Sequence, residues 1–261
     1  MNSLKEKLKI VCIIQARLGS SRLPGKVLKE ICGNPMLDWV IKRAARSQMV
    51  NQILVATTVS MEDDPIVRFC ETSGISFFRG SEFDVLDRYY QAASSADADV
   101  IVRLTADCPL IDPDLIDKTI HAMLDEKADF AANRLPPPYH RTYPIGLDVE
   151  VATFSALEIA WKNAAEGFER EHVMPYLYDP AHGKKFVVVD HVEDLGLLRW
   201  TVDTPEDLEF VHQVAKRFDC RDDFSWLDVL KLIEKYPDLS AINAGISHKN
   251  LKDVDSRAEL K

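Results

Sequence analysis

The sequence predicts an α/β protein whose parallel sheet is covered by helices on both faces. Two observations carry that reading. Short continuous apolar runs recur along the first half of the chain, and most are separated from the next by a segment with apolar residues at helical spacing. The first run, Ile10, Val11, Cys12, Ile13 and Ile14, leads straight into a loop of Gly, Ser and Pro, as a strand buried on both faces does at the ligand-bearing edge of such a sheet.

The elements follow in order. After the strand at 10–14, the stripe Met36, Val40, Ile41 and Ala44 predicts a helix, and residues 53–56 a second strand. Ile66, Phe69 and Cys70 mark a weaker helix; the acidic run Glu62, Asp63 and Asp64 before Pro65 reads as its start and as solvated surface, not as a metal site. Strands are expected at 75–78 and 100–104. Asp112 as N-cap and Pro113 in the first turn open a helix that should reach about Lys127. Residues 133–147 are too rich in Pro for a regular element and predict a long functional loop, followed by a strand at 147–151, two helical patterns, and strands at 186–189 and 198–202. Thr204, Pro205, Glu206 and Asp207 carry the cap, proline and acids of another helix start. No linker separates independent units, so residues 1–246 read as one domain, with a loop region at about 133–180 for acceptor or dimer contacts and a polar tail at 247–261.

Composition bounds the function. The chain has 261 residues, 46% of them hydrophobic, enough for an ordinary core without staples. Thirty-two basic against 42 acidic residues leave a net charge of -10, which argues against a binder of nucleic-acid polymers. Cys12, Cys32, Cys70, Cys108 and Cys220 are odd in number, widely spaced and without a C-x-x-C pair, so reduced core thiols are expected. Residues 1–9 alternate charge with leucine, and no run approaches a membrane span; a cytoplasmic protein is the expectation.

In so acidic a chain any phosphate must be held by a local cluster, and residues 15–26 supply one. Gly19, Ser20 and Ser21 let backbone N–H groups and hydroxyls approach phosphate oxygens, while Arg17, Arg22 and Lys26 add positive charge. The spacing is neither a P-loop nor a dinucleotide fingerprint. Asp107, just past the apolar run 100–104, faces the same sheet edge and suits a metal ion that takes one or two carboxylates and completes its shell with phosphate and water.

At these residues the chain resembles a known family. Arg17, residues 20–26 and residues 33–36, then residues 84–89, 105–110, 146–150 and 202–208, are similar to the signatures of the cytidylyltransferases that make CMP-3-deoxy-octulosonate and CMP-acylneuraminate, above all the branch of spore-coat polysaccharide biosynthesis proteins. The resemblance implies a nucleotide-diphospho-sugar transferase fold of the GT-A-like kind, a mixed, mostly parallel sheet flanked by helices. It implies CTP and a small acidic sugar as substrates, Mg²⁺ held by Asp107 and Asp203, and Lys26, Arg17 and Asp107 as catalytic residues. Gln15, Ala16, Arg17, Gly19, Ser20, Ser21, Arg22 and Lys26 become nucleotide-binding, with Arg79 and Gly80 at the base. The chain departs from the family at Thr105, where members carry Gln.

For the acceptor, Asp148 and Glu150 alternate along one strand and so share a face, with Arg141 in the preceding loop; Arg170 and His172 are further candidates for its carboxylate. Family members are commonly dimers, and apolar faces from Trp161 and from 174–178 are the expected homodimer surface. Two other functions fit the same fold, a glycosyltransferase using a nucleotide sugar and a non-catalytic nucleotide-binding protein. The triphosphate loop argues against the first, and the loop with both acids argues against the second.

Overall fold

The computed structural model describes residues 8–246; the expected features of the first seven residues and of the tail at 247–261 lie outside them. The elements run β1 (Ile10–Gln15), β2 (Glu30–Ile31), β3 (Asn34–Pro35), α1 (Met36–Ala44), β4 (Gln52–Thr58), α2 (Asp64–Ser73), β5 (Phe77–Gly80), α3 (Val85–Ser95), β6 (Val100–Thr105) and α4 (Pro113–Asp125). They continue as β7 (Phe130–Ala132), β8 (Glu150–Thr153), α5 (Phe154–Asn163), α6 (Gly167–His172), α7 (Pro175–Tyr178), β9 (Phe186–Val188), α8 (Pro205–Arg217), α9 (Trp226–Lys235) and α10 (Asp238–Ala241). No helix among the described residues is long and apolar enough to cross a membrane.

The main sheet has seven strands in the order β5-β4-β1-β6-β8-β7-β9. β5, β4, β1 and β6 are parallel, and β8 runs antiparallel to both β6 and β7, so the sheet is mixed as expected. The chain winds from β1 toward β5 on one side and returns to place β6 on the other. The carboxyl ends of β1 and β6 therefore flank the point where strand order reverses, where open α/β sheets bind ligands.

The alternation of β1 shows why its apolar run is unbroken. Ile10, Cys12 and Ile14 face a core shared with α1, α4, α8 and α9, while Val11 and Ile13 face a second core with α3, α5 and α7. Side-chain caps start the helices as read: Asp112 accepts from Asp114 N and Leu115 N, and Thr204 and Asp207 form a reciprocal capping box.

Five expectations need correction. β5 begins two residues late, and β8 begins only at Glu150, because the apolar residues before each pack as loops. Residues 198–202 form no strand; an isolated bridge from Ile145 to Arg199 and separate backbone bonds to Ile145 and Asp107 hold them in place. There Gly146, at φ 105, lets two backbones cross so closely that a Cβ would lie 2.5 Å from Thr201 N. Cys32 and Cys220 are not core thiols but a disulfide with a Cα–Cα distance of 5.8 Å. One sits in the turn between β2 and β3 and the other just past α8, 188 residues apart, a proximity no spacing rule reveals; Cys12, Cys70 and Cys108 are free and buried as expected. Met174 and Leu177 are buried in the chain's own core and so are not free to form a dimer surface, whereas Trp161 remains half-buried.

Candidate functional site

The loop at 15–26 is held from within and from one neighbour. The Leu18 carbonyl accepts from Ser20 N at 2.8 Å and Gly25 N at 3.0 Å, which folds the loop back on itself. Gly25 takes the left-handed conformation, φ 68, that turns the chain into the short 3₁₀ turn Lys26–Leu28. Leu23 and Val27 anchor this segment in the core. Asp63 supplies the outside hold: its Oδ1 accepts from Leu18 N at 2.7 Å and its Oδ2 from the Thr58 hydroxyl. Asp63 is 3% exposed, so the reading of the acidic run as solvated surface fails for this residue, although the run does start α2.

Lys26 ends the loop between two carboxylates. Its Nζ donates to Asp107 Oδ2 at 2.6 Å, Asp203 Oδ1 at 2.7 Å and the Val202 carbonyl at 3.0 Å. The two acids are brought together by backbone, since Val202 N donates to the Asp107 carbonyl at 2.8 Å. Arg22 and Arg199 also pair with Asp203, at 2.9 and 2.8 Å. Burial alone would raise the Asp203 carboxyl, but Lys26, Arg199 and Arg22 outweigh it and hold the group well below the usual carboxylate range. For Lys26 burial pulls the ammonium down and Asp107 and Asp203 push it up; the carboxylates prevail. Arg199 in turn binds Asp207, whose Oδ2 accepts from the Asp203 and Thr204 amides. Asp107 and Asp203 thus present hard oxygens to one shared cation, a donor set that fits Mg²⁺ with the remainder of its shell left to phosphate and water. No larger group of His, Cys, Asp and Glu able to hold a metal occurs among the described residues.

Beside this cluster, at the reversal point of the sheet, lies a pocket of about 140 Å³ lined by Gln15, Arg17, Glu82, Phe83, Val85, Arg103, Glu171 and His172. Arg103 crosses its wall, with Nη1 on Glu150 and Nη2 on Gln15 Oε1 at 3.1 Å. Behind it, fully buried Arg88 donates to the Ser81 carbonyl at 2.6 Å; burial, with help from nearby Arg17 and Arg103, pushes its guanidinium down to about 10. The Tyr89 hydroxyl lies 3.2 and 3.1 Å from the Ile13 and Leu104 carbonyls, fixing this corner of the sheet.

The expected site residues divide accordingly. Arg22, Lys26, Asp107 and Asp203 converge, and Gln15, Arg17 and His172 share the pocket. Ala16 is buried, whereas Gly19 and Ser20 are half-buried and Ser21 is exposed on the loop. Others are engaged elsewhere. Arg79 donates to the Thr58 and Ser60 carbonyls at 2.8 Å and pairs with Asp64 at 2.9 Å, so its guanidinium braces a loop where a base contact was expected. Gly80 packs against Arg88, where a Cβ would lie 2.9 Å from Cγ. Arg170 chelates Asp84 and the Trp161 carbonyl and does not line the pocket, contrary to its expected acceptor role. Asp148 and Glu150 do not act as one face: Asp148 pairs with Arg141 at 2.6 Å and Glu150 with Arg103. Sequence reading missed Arg103, Arg88, Glu82, Glu171, Asp63, Arg199 and Asp207. A charged residue inside the apolar run 100–104 was a legible signal for Arg103.

The sequence profile of the cytidylyltransferase family matches residues 11–253. An uncharacterized protein of Methanocaldococcus jannaschii is 38% identical over 250 residues, covering 95% of this chain and all of its own. The spore coat polysaccharide biosynthesis protein SpsF of Bacillus subtilis is 34% identical over 236 residues, 88% of this chain and 95% of that protein. Among solved structures, a cytidylyltransferase from Leptospira borgpetersenii superposes with a TM-score of 0.84 at 34% identity, over 92% of this chain and 100% of that one.

Proposed function

Because this chain belongs to the cytidylyltransferase family, we propose that it transfers CMP from CTP to an acidic sugar of the octulosonic or nonulosonic type, releasing pyrophosphate, for surface polysaccharide synthesis. The observation that carries the reading is the convergence of Lys26 with Asp107 and Asp203 at the end of the basic loop. An acceptor hydroxyl oxygen attacks the α-phosphorus in line, the bond from that phosphorus to the bridging oxygen breaks, and the hydroxyl proton is lost to solvent or a neighbouring base. Arg17, Arg22 and Lys26 would hold the triphosphate and stabilise the charge that develops on the leaving pyrophosphate. Mg²⁺, held by Asp107 and Asp203, would neutralise phosphate charge and polarise the α-phosphate.

The acceptor is assigned to the pocket of Arg103 and His172, which Arg17 of the triphosphate loop also lines. Its lining combines arginines, which suit a carboxylate, with Glu82 and Glu171, which suit hydroxyl groups. The name of the B. subtilis relative supports the polysaccharide context, and the motifs at 20–26 and 105–110 support the acid. We assign the reaction to the cytoplasm, where nucleoside triphosphates are made, and to a homodimer that uses the half-buried stack of Tyr90 and Trp161, 4.0 Å apart.

The test is pyrophosphate release from each of four nucleoside triphosphates with Mg²⁺ and a panel of sugar acids. Turnover is expected with CTP alone, and preference for another base would overturn the assignment. Asp107→Ala should lower kcat by about 10²–10³-fold, the scale of losing a group that stabilises transition-state charge; full activity would remove Asp107 from the site.

A further inference from the structure

Lys26 carries three N–H donors, and all three are in use: Asp107 Oδ2 at 2.6 Å, Asp203 Oδ1 at 2.7 Å and Val202 O at 3.0 Å. No donor is left for a phosphate oxygen in this arrangement. Contact with a triphosphate therefore requires the ammonium to release at least one of these acceptors.

The charge count of the cluster points the same way. Asp107, Asp203 and Asp207 stand against Lys26, Arg22 and Arg199, three negative charges against three positive, for a sum of zero. The side chains of Lys26 and Asp203 are only 11% and 17% exposed, so water screens an added charge poorly. A bare divalent cation entering this neutral, half-buried cluster brings two uncompensated positive charges and must displace a cation already bound. A metal carried by a nucleoside triphosphate arrives with net negative charge, which gives Lys26 and Arg22 new anionic partners as they leave the carboxylates.

We infer that Lys26 is a resident stand-in cation that closes the Asp107–Asp203 pair to free divalent metal and opens it to the metal–triphosphate complex. The inference rests on the reading of these two acids as the metal ligands. It assigns Lys26 two positions in one cycle, on the carboxylates before nucleotide binds and on the phosphates afterwards, and it makes metal and nucleotide enter together.

Titration of the protein with Mn²⁺ in the absence of nucleotide, followed by loss of the free-ion electron paramagnetic resonance signal, tests it without reading activity. The wild type should bind weakly, Lys26→Met at least about tenfold more tightly because one compensating charge is gone, and Lys26→Arg as weakly as the wild type. Adding Asp107→Asn to Lys26→Met should abolish the gain. Lys26→Gln serves as the second neutral variant, with far-ultraviolet circular dichroism confirming the fold. Equal Mn²⁺ affinity in wild type and both neutral variants, still sensitive to Asp107→Asn, overturns the stand-in role and leaves the metal ligands intact. Absence of any Asp107-dependent Mn²⁺ binding in every variant overturns the metal assignment itself.

Discussion

Two parts of the site handle charge in different ways, the phosphate end at Lys26, Asp107 and Asp203 and the pocket end at Arg17 and Arg103. At the phosphate end every carboxylate meets a cation within 3.0 Å: Asp107 and Asp203 on Lys26, Asp207 on Arg199. At the pocket end Arg17, Arg88 and Arg103 crowd together, Glu150 is the carboxylate paired with Arg103, and the Nε atoms of Arg88 and Arg103 are buried without a hydrogen-bond partner. One end is a closed network that a ligand must open. The other keeps guanidinium N–H groups buried without an acceptor, which a ligand oxygen would satisfy. The difference fits the two substrates proposed above, a polyanion that brings its own cation and a sugar with a single carboxylate.

The largest effect should come from the fork geometry at the pocket end. Arg103→Lys keeps the charge opposite Glu150 but gives up the planar head that reaches Gln15 as well. The acceptor KM should rise about tenfold, the loss expected of one charge-assisted contact, with the CTP KM unchanged. Steady-state kinetics with each substrate varied in turn separates the two. A rise in the CTP KM alone would move Arg103 to the nucleotide and erase the contrast between the ends.

The same contrast explains what the sequence made legible. The phosphate end is built from turns that follow strands, so its residues cluster in short motifs: the loop at 15–26, Asp107 after β6, Asp203 before α8. The pocket end is built from side chains of β1, β6, the turn before α3 and the end of α6, brought together only by strand order. Parity along β6 could have pointed Arg103 away from the α4 side, but nothing local paired it with Glu150, which reaches it across an antiparallel register. The disulfide was hidden for the same reason, and Arg79 and Arg170 misled because an arginine near a motif looks alike whether it meets a ligand or braces a loop. Most of the parallel half of the fold was readable because each strand is a continuous apolar run; β2, β3 and β7, at two or three residues, are too short to leave a pattern.

Arg170 sharpens the boundary of the pocket. Its guanidinium donates to both oxygens of Asp84, the N-cap of α3, at 2.5–3.1 Å and to the Trp161 carbonyl at 2.7 Å, tying α3 to α5 and α6. Arg170→Ala should cost about 1–2 kcal/mol, because the pair is part-exposed and hydrogen bonds to charged groups are worth little more than that. For a domain of this size that lowers Tm by roughly 2–4 °C per kcal/mol. Differential scanning calorimetry should detect the loss, with the acceptor KM unmoved. A raised acceptor KM at unchanged Tm would return Arg170 to the pocket.

The smallest effect is the share of the acid dependence that the phosphate end adds to that of other lowered carboxyls such as Asp222. Burial pushes the Asp207 carboxyl up, but its hydrogen bonds from Arg199, the Asp203 amide and Asn243 outweigh that and hold it below the ordinary value. A carboxyl lowered in the folded state binds its proton more readily when unfolded, so its stabilisation is complete above the unfolded value near 3.9 and is lost as pH falls toward the lower folded value. Asp203 is shifted in the same direction and contributes in the same window. Melting temperature should therefore hold from pH 7 to about 5 and drop below about 4. Asp207→Asn should melt lower throughout and lose part of that acid-side slope, since its amide has no proton to gain. An identical slope in variant and wild type would mean that the acid sensitivity arises outside this network, and the phosphate end would then be no more charge-dependent than the rest of the surface.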